Sequence, residues 1–301
     1  MGFFQNFWVW LNGQLTSYIG DNTARIASAI EPAVITMATL YVMAWGFLHL
    51  TGRIEEPLGA GVKRILWLAL ILGAGIHLWL YNSLIVETFY RAPAQLAAAV
   101  IGAGDPVKVV DTIWERGGAV AGQLWGHGAT FMSDAGFFIA GLVVWLLIGL
   151  LCVYTMFLIS LASVALAVLL ALGPLFICML MFDGTRRLFV SWVAQLVNYA
   201  LITVLTVMVA ALLLRVVEAY ATQTAARGAQ VTTVDALNMM LMSVLVFLLM
   251  RQVMPIASGL AGGVSLNSFG VTSRLLGYGA RTVQSWREQA RENATGRAAA
   301  R

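Results

Sequence analysis

The chain has 301 residues, 60% of them hydrophobic and 11% charged, with a formal net charge of +4 and a mean hydropathy of +0.84. A soluble domain carries about 25% charged residues, so a water-soluble globular protein is excluded and an all-α, polytopic helical integral membrane protein is predicted. The basic balance then reads as Lys and Arg gathered at the cytoplasmic face, not as a nucleic-acid surface.

At the N-terminus Phe4, Trp8, Leu11, Leu15 and Tyr18 recur at helical spacing, with Gln5, Asn12, Gln14 and Ser17 between them. The pattern predicts an amphipathic helix within residues 1–31, lying in the membrane interface or against a partner. No basic n-region or small-residue cleavage site is present, so no cleavable signal is expected. Pro32 suits a first helical turn and opens a first span to about Leu50. A short polar loop, residues 51–57, leads to a second span at about Ile65–Val86, which completes a 32–86 unit.

Residues 87–134 form the one long polar segment. Asp105-Pro106 is a helix-start signal. Val109, Ile113 and Trp114 make an apolar face before Gly117-Gly118 interrupts it, and a second short helix follows through Val120, Leu124 and Trp125. The expectation is a folded periplasmic helical loop, with Asp105, Ile113, Trp114 and Trp125 as candidate contacts for a substrate or partner.

From Ala135 to Phe182 there are 48 residues without a charge. An unbroken helix of that length measures about 72 Å, against a hydrocarbon core of about 30 Å. Either two spans turn near Ser160–Ser163, or one long kinked helix projects beyond the membrane, or a broken segment is shielded by its neighbours. Gly173-Pro174 is the expected bend, because Pro lacks an N–H and disfavours helix at the preceding residue. The run ends at a compact turn, Asp183 to Arg187. Arg186 and Arg187 are placed at the cytoplasmic headgroups, and Asp183 is expected to cap the helix that carries Trp192 and Gln195.

A further span at about Leu188–Leu214, a polar loop and a last span at about Ala236–Met254 complete a 135–257 unit. The small and flexible-looking ASGLAGG follows, then a basic tail, 258–301, with six arginines from Arg274 to Arg301. Anionic headgroups are its expected partner, with a nucleic acid or an ATPase as the alternative. This layout has five spans, or six if the charge-free run crosses twice. The basic residues of the short 51–64 loop favour five, with the N-terminus periplasmic and the C-terminus cytoplasmic.

No catalytic constellation is found, and neither a cofactor nor a metal is expected. His49, His77 and His127 stand alone, and there is no His-Glu-x-x-His, Gly-x-Ser-x-Gly or P-loop. Cys152 and Cys178 sit in apolar runs as small hydrophobes. The spans carry almost no ionisable residues and no internal repeat, which argues against a stand-alone small-solute permease, the alternative function. Assembly chemistry is present instead. Ser163, Ala167 and Ala171, with Gly259 and Gly263, offer small side chains for close helix packing. Gln195, Asn198, Thr203 and Thr206 can hydrogen-bond between helices or line a wet path.

The stretch LALGPLFICMLMFDGTRRLFVSWVAQLVNYAL, residues 170–201, together with the layout of spans and one long loop, resembles the TrbL/VirB-six family of bacterial type IV secretion systems. Gly173, Pro174, Arg186, Arg187, Phe189, Trp192 and Gln195 carry the resemblance. It implies a non-enzymatic multi-pass subunit of the bacterial inner membrane that helps build a translocation channel and a pilus or stalk. Its implied partners are further copies of itself, the minor pilin, core-complex subunits and cytoplasmic ATPases. The implied cargo is protein or DNA–protein, with the large loop involved in its passage.

Overall fold

The computed structural model describes residues 2–53, 58–101, 107–127, 135–227 and 233–267, and among these every regular element is helical. Asp105 and the basic tail beyond Asn267 lie outside the described residues.

Helix α1 runs unbroken from Phe3 to Leu50, through Pro32. The expected division into an interfacial helix and a separate span does not occur. The reason is the buried stripe: Leu15, Ile19, Thr23, Ala27, Val34 and Ala38 are all buried, at steps of four or seven residues. One continuous stripe crosses Pro32, so packing on both sides outweighs the local penalty of about 3 kcal/mol for proline inside a helix.

Helix α2, Leu58–Ile76, ends at His77, where the chain bends by 82°. The straight second span expected at Ile65–Val86 is therefore broken. His77 is extended, and α3, Leu78–Tyr81, begins after it. A π-helical stretch, Asn82–Arg91, then leads into α4, Ala92–Ile101. Gly75 lets the end of α2 approach closely, since a Cβ there would stand 3.1 Å from the Cys178 sulfur.

Helix α5, Lys108–His127, passes straight through Gly117-Gly118. These glycines were expected to interrupt a helix, but Gly117 is a packing contact: a Cβ there would lie 2.6 Å from the Ile148 side chain. The pairing is reciprocal, for Trp125 and Trp114 of α5 occupy the space that a Cβ at Gly141 and Gly149 of α6 would need. Large meets small on both sides. The described residues of the polar segment after residue 87 are thus helical and packed onto the bundle, with Ile113 buried in its main core.

Helix α6, Ala135–Ala171, is one helix of 37 residues, about 56 Å long at 1.5 Å per residue. Of the three arrangements open to the charge-free run, the long helix ending at a break is the one adopted. After the break come α7, Gly173–Cys178, a 3-10 turn, Met179–Met181, and α8, Arg186–Arg227. Helices α9, Thr233–Arg251, and α10, Val253–Asn267, finish the described chain. ASGLAGG is helical within α10, not a flexible tail, and the last apolar stretch runs through it as Met240–Gly262.

Among the described residues four helices are long and apolar enough to cross a membrane, or up to five when the pair bent at His77 is counted as one span. α6 and α8 form the central antiparallel hairpin. α5, α9 and α10 pack around one part of it, and α1, α2 and α3 around the part near the break.

Candidate functional site

The resemblance rests on the Gly173-Pro174 break, and the surrounding geometry explains its residues. An α-helix bonds each N–H to the carbonyl four residues earlier. Pro174 has no N–H, so the Leu170 carbonyl loses its helical partner. Leu172 departs from the helix, and with it goes the register that would have satisfied Leu169. Each freed carbonyl is capped by a side chain from elsewhere. The Tyr81 hydroxyl donates to the Leu170 oxygen at 2.5 Å, and the Trp192 Nε1–H donates to the Leu169 oxygen at 2.9 Å. A buried carbonyl without a partner is costly in lipid, so these bonds are what allow the break to sit inside packed protein.

The remaining residues serve that junction. A Cβ on Gly173 would overlap the Tyr81 phenol, which accounts for glycine there. Trp192 is buried and stacks on Phe176, with ring centroids 5.8 Å apart and planes at 12°. Phe189 flanks it at 5.6 Å. The following turn is tied by Thr185, not by the expected Asp183 cap: the Thr185 hydroxyl donates to the Met179 oxygen at 2.6 Å. Asp183, Arg186, Arg187 and Gln195 are exposed. Tyr81 is the residue that the sequence reading missed. It lies 89 positions from its acceptor, and nothing local to LWLY signals it.

Ser163, Ala167 and Ala171 are buried on α6, and the Ser163 hydroxyl donates to Ile159 of its own helix at 2.9 Å. Gly259 is exposed, with open space around it, while Gly263 lies in α10. Ile113 is buried, Trp114 packs at 5.4 Å from Trp145, and Trp125 donates to the Phe138 carbonyl at 3.3 Å. Asp111 is a second missed residue. Its buried carboxylate accepts from the Phe4 and Gln5 amides at 3.1 and 3.0 Å. It thus caps the N-terminus of α1, where the first amides lack helical partners and the helix dipole favours negative charge. Gly2 has no Cβ to collide with that carboxylate.

Among the described residues no group of His, Cys, Asp and Glu is arranged to hold a metal. Cys152 and Cys178 are free and buried. The Asn198 Oδ1 and Thr206 hydroxyl are buried without a partner, whereas Thr203 donates to Tyr199 of its own helix.

The sequence profile of the family described as "TrbL/VirB6 plasmid conjugal transfer protein" matches residues 38–253. The chain is 19% identical over 204 residues to "Type IV secretion system protein VirB6" of Bartonella henselae, a match over 67% of this chain and 63% of that protein. It is 22% identical over 204 residues to "Protein VirB6" of Agrobacterium fabrum, covering 66% of this chain and 68% of that one. It is 25% identical over 296 residues to "Type IV secretion system protein VirB6" of Brucella abortus biovar 1, covering 90% and 83%. The chain thus spans less than two thirds of the Bartonella relative. The profile match takes in the break, the turn and Trp192, and covers well over half of the chain: this protein belongs to the TrbL/VirB6 plasmid conjugal transfer protein family.

Proposed function

We propose that this chain is a non-enzymatic inner-membrane subunit of a type IV secretion system. In this role it forms part of the channel and assembly platform that moves protein or DNA–protein cargo and builds the periplasmic stalk. The observation that carries the reading is the braced break. Tyr81, the α6–α7 corner and Trp192 join three helical layers through bonds to backbone, and the polar groups at this junction are spent on structure rather than aimed at a substrate. The relatives named for type IV secretion support the same role.

The geometry also supports an orientation. Tyr41 and Phe182 meet at 6.4 Å, so the C-terminal part of α1 comes near the Asp183–Arg187 turn. Arg53 follows α1 and Arg186 and Arg187 open α8, and by the positive-inside rule the end that carries them is assigned to the cytoplasm. The N-terminus and α5 then belong to the periplasmic end, and the basic tail to the cytoplasm. Homo-oligomer contacts, the minor pilin, core-complex subunits and cytoplasmic ATPases are the proposed partners.

Deletion of the gene with complementation, followed by cross-linking and blue-native electrophoresis of membranes, tests the role. Substrate transfer should stop, and the complemented chain should migrate in a large complex. Transfer that continues after deletion, with the protein running only as a monomer, would refute it.

A further inference from the structure

The first half of α1 and the π-helical stretch enclose an open trough. Three adjoining depressions of about 710, 400 and 330 Å³ meet at Thr16, each within the ~300–1,000 Å³ of ligand-sized cavities. Asn12, Thr16, Glu87, Tyr90, Arg91 and Gln95 give it a polar lining. The Tyr90 hydroxyl donates to the Asn12 Oδ1 at 2.8 Å. Glu87 and Arg91 form an ion pair at 3.2 Å, with 51% and 61% of their side chains still exposed.

The depth of this trough gives it meaning. Ser163 and Thr203 form part of its wall. α8 carries no charge between Arg187 and Arg215, a length of about 42 Å that matches the ~40–45 Å of a bilayer with its headgroups. Thr203 lies about 24 Å from the first arginine and about 18 Å from the second. Ser163 lies within the charge-free α6. Glu87 and Arg91 themselves belong to the candidate span that contains Leu78–Val100. An exposed ion pair therefore stands at the depth of lipid chains. Charged groups there face protein or water, not hydrocarbon. On α6 the exposed side chains around Ser163 are apolar, Phe157 and Val164 among them.

We infer that this trough is a water-filled recess inside the bilayer, kept wet by Glu87 and Arg91 and closed to lipid chains. Its occupant is water, continuous with one aqueous face, and the pair is internally neutral, so the recess holds no fixed net charge. The wide turn of the π-helix opens it, in keeping with the association of π-turns with functional sites. The recess gives the subunit a hydrophilic surface within the membrane, which the apolar faces of its other helices do not supply.

Thiol accessibility in native membranes tests this. Single cysteines replace Asn12, Thr16, Ser83 or Gln95 in the full chain, with Phe157→Cys and Val164→Cys as controls at the same depth, in a background carrying Cys152→Ala and Cys178→Ala. A membrane-impermeant charged thiol reagent is followed by a permeant maleimide that counts the remaining thiols. The trough cysteines are expected to react at least an order of magnitude faster than the controls, and Glu87→Leu with Arg91→Leu should slow them toward the control rate. Trough cysteines that react no faster than Phe157→Cys and Val164→Cys, while the maleimide titrates all of them, would overturn the inference. So would fast labelling of detergent-solubilised chain together with protection in the membrane, because lipid or a partner then fills the trough. The measurement does not depend on secretion, so its failure leaves the proposed function standing.

Discussion

Gly173→Ala should destabilise the junction through Tyr81 and through no other residue. The backbone tolerates alanine, because Gly52 is the only described residue with positive φ. The new methyl group instead overlaps the Tyr81 phenol. Tyr81 must move, and the bond to the Leu170 carbonyl is lost with it. Overpacking costs about 1–3 kcal/mol. A lost buried hydrogen bond adds about 0.6–2 kcal/mol in a membrane protein. The sum is about 2–5 kcal/mol. Tyr81→Ala alone should cost about 3–5 kcal/mol, as for other large aromatic truncations. With Tyr81 already alanine the added methyl has room, so Gly173→Ala should then cost less than about 0.5 kcal/mol. The four proteins form a double-mutant cycle with a coupling of about 1.5–5 kcal/mol. SDS-titrated unfolding in mixed micelles, followed by tryptophan fluorescence, measures each corner. Equal costs of Gly173→Ala in both backgrounds would refute the reasoning, since the penalty would then arise from the backbone or from another neighbour.

Four further outcomes are expected. Asp111→Asn leaves the Phe4 and Gln5 amides with a weaker acceptor, so hydrogen exchange at the start of α1 should speed up and stability should fall by about 1–2 kcal/mol. Ala167→Leu overfills a fully buried position on α6 and should cost about 1–3 kcal/mol by micelle unfolding. Gly259→Leu meets open space and should stay within about 0.5 kcal/mol of the parent, so any loss of the large complex on native gels would mark a contact between subunits. In the proposed orientation, replacing both Arg186 and Arg187 with Glu removes the positive charge that holds the turn on the cytoplasmic side. A reporter fused at Thr185 should then show a fraction of chains with that turn translocated.

The charge-free run and its Gly-Pro break were legible because both are local. Length against bilayer thickness demands a bend, and proline marks where it falls. What escaped were decisions made by neighbours distant in sequence. Pro32 reads as a helix start, yet the stripe from Leu15 to Ala38 overrides it. Gly117-Gly118 reads as an interruption, but Ile148 makes it a contact. Glycine carries no sign in sequence that separates a breaker from a site of close approach, because the difference lies in the side chain across the gap. Tyr81 and Asp111 were missed for the same reason: each satisfies backbone groups about 90 or more residues away.

The π-helical stretch links the braced break to the trough. Tyr81 precedes it and Tyr90, nine residues on, is its last residue but one. In an α-helix nine residues make about two and a half turns, which would aim the two side chains to opposite sides. The wider i→i+5 winding makes fewer turns over the same length and brings them toward one side. Both do face the same seam: Tyr81 bonds to Leu170 of α6, Tyr90 bonds to Asn12 of α1, and both rings join the cluster that contains Leu15, Ile19 and Leu166. The two phenols therefore hold the stretch at both ends, one against each wall of the seam. With Tyr81 and Tyr90 turned inward, Glu87 and Arg91 are left on the open side, where their exposed pair lines the trough. The unusual winding, the cap on the break and the polar recess thus have one cause, the need to turn two tyrosines to the same side across nine residues.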